Sequence, residues 1–448
     1  MAKKSIYGTR CWLEGKLQPA TICFENNIIT EIHLYKTNDA EDVGNNIVMP
    51  GVIDAHVHIN EPGRTEWEGF DTATQAAAVG GITTIVDMPL NATPVTTTVK
   101  AFKEKLEASK NKLHVNVGFY GGLIPGNKND LEELMKAGVL GIKCFLTHSG
   151  IDEFPNVGEK EINEAMPIIA KYNLPLLAHC EIYTEEVKND LAKFPGSYQQ
   201  YLSSRPKKWE NDAVDLMIQL CRKHNCATHI VHVSSAEALN NIAKAKQEGL
   251  PLTAETCAHY LFFNAEEISD GNCLYKCAPP IREKANNILL KEALKSGVLD
   301  FITTDHSPAP PNIKEIKSGN LQKAWGGIAG LQFLLSASWT ALKENVSLED
   351  FIPLLTEHPA KFLKADERKG KIKIGYDADL VIWNPDEKFE VKEKDILHRH
   401  TISPYIGTEL FGSIQQTIVN GITVYNKGTI VDNNKKTGKV ILAKLKKL

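Results

Sequence analysis

His56 and His58 are the two side chains of this sequence whose types and spacing most directly suggest chemistry. They stand at the end of an apolar run, residues 48–57, of the kind that forms a β-strand. Side chains two residues apart on a strand point in the same direction. Two imidazoles on one face can chelate a divalent metal ion. The pair by itself is equally compatible with two ordinary, partly buried histidines, so the prediction of a metal site depends on later parts of the chain.

Ligand-type side chains also lie at or near the ends of four later apolar runs. They are Lys143, His179, His232 and Asp305. If the runs are parallel strands of one barrel, their C-terminal ends meet at one mouth, where barrel enzymes place catalytic residues. Each residue alone is more often structural than functional. Ligand-type residues at five of eight strand ends are hard to attribute to chance, and together they predict a metal centre.

Lys143 is the unexpected member of this group, because an ammonium repels cations. A lysine that extends to solvent is the simplest reading of the sequence alone. Beside two dications, however, burial and like charge both favour the neutral amine. A neutral amine can take up carbon dioxide to form a carbamate, an anion whose two oxygens could bridge two metal ions.

The order of the apolar runs predicts the fold. Eight short runs occupy residues 52–58, 82–88, 114–120, 140–145, 175–180, 228–233, 252–257 and 299–304. Helix-like segments separate them, at residues 72–79, 99–110, 131–137, 161–171, 212–223, 236–247 and 286–295. Eight alternations favour an α/β protein built on a (β/α)8 TIM barrel. An open doubly wound sheet would normally carry a glycine-rich phosphate loop after its first strand, and residues 58–64 form no such loop.

Both ends of the chain read as short strands with turns between them. We predict that they pair into one small β-sandwich domain beside the barrel, with an Asn420-Gly421 turn in its C-terminal part. The predicted boundaries are residues 1–50 and 366–448 for the β-domain and residues 51–365 for the barrel.

Composition excludes several classes of function. The net charge of -4 gives no electrostatic reason to bind nucleic acid or an anionic membrane. No apolar run approaches the length of about 18 residues that a membrane span needs. Nine cysteines without framework spacing suit a reducing cytoplasm. The lysine-rich C-terminal end is predicted to be a solvated tail; its lysines are Lys435, Lys436, Lys439, Lys444, Lys446 and Lys447.

The ligand-type residues, together with Asp54, resemble the binuclear-metal amidohydrolase superfamily in its cyclic-amidase branch. That branch contains dihydroorotase, dihydropyrimidinase (hydantoinase) and allantoinase. The resemblance extends from about residue 48 to residue 425 and includes residues 80–84, 255–260 and 278–282.

The resemblance implies a cofactor and a role for each residue. His56 and His58 would bind the more buried metal ion, and His179 and His232 the more exposed one. Carboxylated Lys143 would bridge two divalent ions, with zinc favoured and cobalt, manganese or iron as alternatives. Asp305 would bind the buried ion and act as the catalytic acid–base, while an ion-bridging hydroxide opens a small cyclic amide. The resemblance also implies a homotetramer. Asp54 lies too early on its strand to be a ligand, and we expect a supporting role for it.

Three positions separate the members of the branch. Dihydroorotases have Arg, Asn and His where this chain has Asn60, Leu90 and Ala309, so a substrate carboxylate would lose its charge-assisted hydrogen bonds. Residues 59–70, 88–91, 305–311 and 323–330 instead resemble the allantoinase family. This favours hydrolysis of uncharged allantoin to allantoate, in purine catabolism, with Asn60, Asn91 and the backbone around Ala278 as substrate contacts. That family often has Ser where this chain has Ala278.

Three other functions stay open. Two belong to the same class, namely dihydroorotase and dihydropyrimidinase or hydantoinase. The third is a non-catalytic scaffold of amidohydrolase fold. Such relatives typically lose ligands, whereas all six ligand positions are filled here.

Overall fold

The computed structural model of the chain describes residues 3–445. Its strands are β1 (Lys4–Leu13), β2 (Lys16–Glu25), β3 (Ile28–His33), β4 (Glu41–Asp42), β5 (Ile47–Pro50), β6 (Val52–Val57), β7 (Ile82–Asp87), β8 (Asn116–Phe119), β9 (Gly121–Gly122), β10 (Ile142–Phe145), β11 (Leu176–His179), β12 (Thr228–Ile230), β13 (Leu252–Cys257), β14 (Phe301–Thr303), β15 (Leu380–Glu390), β16 (Glu409–Val419), β17 (Ile422–Asn426) and β18 (Thr429–Ile430). Its α-helices are α1 (Phe70–Val79), α2 (Val99–Ser109), α3 (Leu131–Lys136), α4 (Glu159–Lys171), α5 (Tyr198–Ser203), α6 (Lys207–His224), α7 (Leu239–Gln247), α8 (Ala258–Phe262), α9 (Lys284–Lys295), α10 (Leu334–Leu342), α11 (Leu348–Leu355) and α12 (Glu357–Phe362).

Parallel strands β6 to β14 form the barrel. Strands β6, β7 and β8 pair in sequence, and so do β9 to β14. Strands β8 and β9 are consecutive parts of one barrel position, because β8 pairs with β7 and β9 pairs with β10. A bridge between Val57 and His306 joins the last position to the first. Each predicted run coincides with one barrel position, which confirms the eight-stranded barrel.

Burial explains why these strands show no alternation of apolar and polar residues. Every residue of β6 and of β7 is buried, because the barrel interior covers one face and helices such as α1 cover the other. Of the described helices, seven coincide with the predicted segments, whereas α5, α8, α10, α11 and α12 were not predicted. Among residues 3–445, none of the helices is both long and apolar enough to cross a bilayer.

The β-domain draws strands from both ends of the chain. Its sheet has the order β18-β17-β16-β15-β5-β1-β2-β3, with β4 beside β1. The antiparallel pairing of β5 with β15 joins the segment before the barrel to the segment after it. The domain has its own apolar core, which includes Ile22, Phe24, Leu380 and Ile382. The predicted association of the two ends is confirmed, whereas the boundaries at residues 50 and 365 stay a prediction.

The lysine-rich C-terminal end differs from the predicted solvated tail. The Val117 N–H donates to the Lys439 carbonyl at 2.9 Å, and the Ile441 N–H donates to the Val117 carbonyl at 2.8 Å. Lys436 Nζ lies 2.5 Å from Asp71 Oδ1. The segment packs here because β7 covers only one edge of β8 at Val117, and the buried backbone groups on the other edge need partners. Lys446 and Lys447 lie outside the described residues.

Candidate active site

His56, His58 and Asp305 form a compact group at the mouth of the barrel. His56 lies in β6, His58 follows that strand, and Asp305 follows β14. Asp305 Oδ1 lies 3.1 Å from His56 Nε2 and 3.2 Å from His58 Nε2. One nitrogen or oxygen ligand atom from each residue lies within 4.8 Å of the others, so the group could hold a metal ion. The sequence separates these side chains by more than half the chain, and barrel closure brings them together.

The electrostatics of this group favour an ionised carboxylate. Burial raises the pKa of Asp305, but the adjacent His56 and His58 lower it more, and the pKa lies well below its usual range. Burial lowers the pKa of His56, and the carboxylates of Asp305 and Glu255 together raise it to about 9. The protein therefore concentrates positive charge around Asp305 and keeps it ionised at neutral pH.

His179 and His232 form a second pair in the same cavity. His179 ends β11, and its Nδ1 lies 2.9 Å from Nε2 of His232, which follows β12. His179 Nε2 lies 2.8 Å from Glu181 Oε2. If that nitrogen carries the proton, Nδ1 presents a lone pair towards His232. Two imidazole nitrogens at this distance can share a proton or bind one cation.

Two of these residues have unusual backbone conformations. The φ angles of His232 and Asp305 are 40° and 44°, in the left-handed region that non-glycine residues rarely adopt. Such conformations concentrate at functional sites, where the surrounding structure holds them. Each residue lies two positions after the end of a short barrel strand, so the strained turn directs its side chain into the mouth.

Lys143 is a fully buried lysine whose amine has no hydrogen-bond partner among the described residues. It lies in β10, and its Nζ is 5.0 Å from the centre of the Phe145 ring. Burial lowers its pKa to about 8, partly opposed by Asp305 and Glu255. Its positive charge also contributes, after burial, to the lowered pKa values of His179 and His232. An unpaired buried amine costs free energy, and its position is explained if the amine is modified to a carbamate that binds cations.

Glu255 supports the first group from the seventh barrel strand. Its Oε1 lies 2.5 Å from His56 Nδ1, and its Oε2 lies 3.1 Å from His229 Nε2. With a metal ion bound, a proton kept on His56 Nδ1 would leave the Nε2 lone pair, on the side of Asp305, for that ion. The sequence prediction did not include this contact, although His229 and Glu255 are polar residues within two consecutive apolar runs, 228–233 and 252–257.

Asp54 also has the supporting role expected of it. Its Oδ1 accepts from the backbone N–H groups of His56 and Thr304, both at 3.2 Å, and its Oδ2 accepts from Thr304 Oγ1 at 2.5 Å. It therefore ties β6 to the end of β14. His306 packs away from the cavity, with Nε2 3.2 Å from Glu68 Oε2.

The cavity has a volume of about 490 Å³. Asn91 and Ala278, two of the predicted substrate contacts, line it, and so does Leu90. Asn91 Nδ2 lies 3.3 Å from His58 Nδ1, so this side chain also touches a ligand-type ring. Asn60, the third predicted contact, lies outside the lining, and its Nδ2 is 3.4 Å from the Pro308 carbonyl.

The glycines at the rim differ in the space around them. A Cβ on Gly327 would lie 2.3 Å from the Ser307 carbonyl oxygen, whereas a Cβ on Gly326 would have no neighbour closer than 3.8 Å. We expect Gly327→Ala to displace the rim and lower kcat/KM by about 10- to 100-fold, because small misplacements at a site have effects of this size. Gly326→Ala is the matched control and should retain activity. Equal activities of the two variants would contradict this account of the rim.

Comparison with known proteins identifies the class. The family model described as "Amidohydrolase family" matches residues 47–424, and the chain belongs to the amidohydrolase family. Among its curated relatives, the allantoinase of Arabidopsis thaliana is 42% identical over 90% of this chain and 83% of its own length. The allantoinase of Saccharomyces cerevisiae is 39% identical over 92% of this chain and 93% of its own length.

Solved structures agree with the fold. The L-hydantoinase (dihydropyrimidinase) from Arthrobacter aurescens has a TM-score of 0.91 and 30% identity, and the match covers 98% of this chain and 99% of that chain. This similarity confirms the predicted barrel with a β-sandwich domain, and it identifies the chain as a cyclic amidohydrolase.

Proposed function

We propose that this protein hydrolyses allantoin to allantoate. The observation that carries the proposal is a cavity at the barrel mouth that five ligand-type side chains line, in a chain that is 42% identical to an allantoinase over most of its length. A scaffold protein would have no need for a buried, unpaired lysine amine or for strained ligand-type residues around a cavity.

Two divalent metal ions fit the donor atoms of this site. We propose that His56, His58 and Asp305 hold one ion and that His179 and His232 hold the other. Lys143, carboxylated on Nζ, would bridge them, which accounts for its unpaired position. Zinc suits a donor set of imidazole and carboxylate groups, and cobalt, manganese or iron would also be accepted. When bound, such ions polarise the substrate carbonyl and lower the pKa of water towards about 7.

Asp305 is the proton carrier in the proposed reaction. The carboxylate is ionised at neutral pH, so it can accept a proton from the attacking water. It can then deliver that proton to the ring nitrogen as the amide bond breaks. His56 and His58 restrict its position through contacts at 3.1 and 3.2 Å.

The chemistry of the cavity favours an uncharged substrate. Leu90 and Ala278 are neutral side chains in its lining. Arg205, Lys276 and Lys323 also line the cavity. Arg205 is paired with Glu181, Lys276 Nζ donates to the Ala324 carbonyl at 2.5 Å, and Lys323 is exposed to solvent, where an ion pair contributes little. An anionic dihydroorotate would therefore gain less from these cations than from those of a dihydroorotase, whereas the amide groups of allantoin can bond to Asn91 and to backbone groups.

Substrate comparison tests the proposal. We expect kcat/KM for allantoin to exceed that for dihydroorotate by about 100-fold or more, since a substrate group left unpaired in a buried site is rejected by such factors. Dihydrouracil is the third substrate, because hydantoinases are the structural neighbours. Preferential turnover of dihydrouracil would identify a dihydropyrimidinase, and preferential turnover of dihydroorotate would refute the substrate argument.

Three further properties belong to the same proposal. The protein is expected to act in the cytoplasm and to form a homo-oligomer, with a tetramer as the expected state. Metal analysis of the purified chain separates the enzyme from the scaffold alternative: the enzyme should contain about two ions per chain, while a content far below one would favour the scaffold.

A further inference from the structure

Four charged side chains form a carboxylate–guanidinium network beneath one side of the cavity. They are Glu181, Arg205, Glu210 and Arg282. Arg205 Nε donates to Glu181 Oε1 at 3.0 Å, and its Nη2 donates to Oε2 of the same carboxylate. Arg282 Nη1 donates to the Arg205 carbonyl at 2.8 Å, while its Nη2 lies 3.4 Å from Glu210 Oε2. The network is therefore continuous from the segment after β11 to the N-terminal turn of α6.

One end of this network contacts His179, and the other end contacts the backbone two and three residues after His232. At one end, Glu181 Oε2 lies 2.8 Å from His179 Nε2. At the other end, Glu210 Oε1 accepts from the backbone N–H groups of Ser234 and Ser235, at 2.7 and 2.8 Å. Ser234 follows His232 by two residues, so Glu210 restrains the turn in which His232 has its positive φ angle.

The first group of ligand-type residues has a different support. Glu255 contacts His56, and Asp54 connects the strands that carry His56 and Asp305. None of the hydrogen bonds or ion pairs found within residues 3–445 joins Glu255 or Asp54 to the four network residues. The two halves of the site are thus held by separate sets of buried charges.

We propose that Glu181 and Arg205 are positioning residues for the metal ion bound by His179 and His232, and that the other ion is positioned independently. This inference rests on the proposed function, because it assumes two bound ions. Glu181 fixes the ring orientation and the proton position of His179, and Arg205 fixes Glu181. Arg282 and Glu210 connect this arrangement to the backbone beside His232.

The energetic reason for the network is the burial of its carboxylates. Glu181 and Glu210 are almost fully buried. A buried charge that loses its partner costs several kcal/mol, so each of these groups keeps the others in place. Groups that orient metal-binding histidines typically change metal affinity by about 10- to 100-fold when they are removed. The expected effect of breaking the network is therefore selective weakening of one ion.

Metal release from the intact, metal-loaded protein tests the proposal. We expect Glu181→Gln to bind one of its two ions about 10- to 100-fold more weakly than the wild-type protein does, so that a chelator removes this ion while the second ion stays bound. Arg205→Lys keeps the positive charge but not the paired geometry, and it should show the same selectivity to a smaller degree. Asp212→Asn is the matched control, since this α6 carboxylate is partly exposed and bonds Thr184 and Lys208 instead.

A double-mutant cycle assigns the ion that is lost. In a His179→Ala background, Glu181→Gln should cause no further loss of metal affinity, because its target is already absent. In a His58→Ala background its effect should persist. Unchanged release from both Glu181→Gln and Arg205→Lys would overturn the inference, as would equal weakening of both ions. A wild-type protein with far less than one ion per chain would instead contradict the proposed function itself, and one with a single ion would overturn this inference alone. If Glu181→Gln does not fold, Arg205→Lys decides the question.

Discussion

Replacement of Lys143 by methionine is expected to reduce kcat/KM by about 1000-fold or more. Without the bridging carbamate, the ion held by His179 and His232 would lose an anionic ligand. The Lewis acidity of such an ion stabilises the transition state by several kcal/mol, and each 1.36 kcal/mol corresponds to a tenfold change in rate. Methionine has a similar length and no polar group, so it should occupy the buried position without leaving an unpaired amine. The variant should therefore fold and unfold at a temperature close to that of the wild-type protein.

Metal content and thermal unfolding separate this effect from a folding defect. The expected result for Lys143→Met is a metal content below two ions per chain, together with a Tm close to that of the wild-type protein when both are compared free of metal. Lys103→Met, on the exposed face of α2, is the control for loss of a lysine charge. Labelled bicarbonate supplied during metal loading should be incorporated into the wild-type protein and not into Lys143→Met. Full activity of the variant would exclude a bridging role for Lys143.

Replacement of Asp305 by asparagine is expected to reduce kcat by about 100- to 10,000-fold, the range typical of general acid–base groups. An asparagine oxygen can still face His56 and His58, but it cannot accept and return a proton. Substrate binding depends on other parts of the cavity, so KM should change much less than kcat.

The identity of the leaving group gives a second measurement on the same variant. For a cyclic amide whose ring nitrogen needs less protonation, the substitution Asp305→Asn should reduce kcat by a smaller factor than it does for allantoin. Metal content must be measured alongside, because a variant that binds less metal would lose rate for a different reason. A uniform loss across leaving groups, with metal content intact, would argue against the proton-carrier role.

The barrel was predictable because its strands carry strong local signals. Each strand position is a short run of β-branched or other apolar residues covered on both faces, and most are followed by an amphipathic helix. The ligand-type residues were visible because His56, His179 and Asp305 lie at or just beyond the ends of such runs. Strand count and strand ends together were sufficient to predict that these side chains meet.

The supporting contacts were not predictable in the same way. Glu255 and His56 are 199 positions apart in sequence, and the pairing of Arg205 with Glu181 depends on how the segment between β11 and α6 crosses the mouth. Asn60 lies two positions after His58, yet it adopts a positive φ angle and lies outside the cavity lining. Such outcomes depend on loop conformation, which sequence pattern specifies poorly because it involves no repeating period.

The C-terminal segment beside β8 has a consequence for how the protein is made. The barrel strand that contains Val117 receives backbone partners from Lys439 and Ile441, and β5 receives its partner from β15. A nascent chain lacks these partner segments until they have been synthesised, so its early strands emerge with open edges. Exposed strand edges recruit other chains, and newly made protein is therefore more vulnerable to aggregation before β15 and residues 439–441 have emerged from the ribosome.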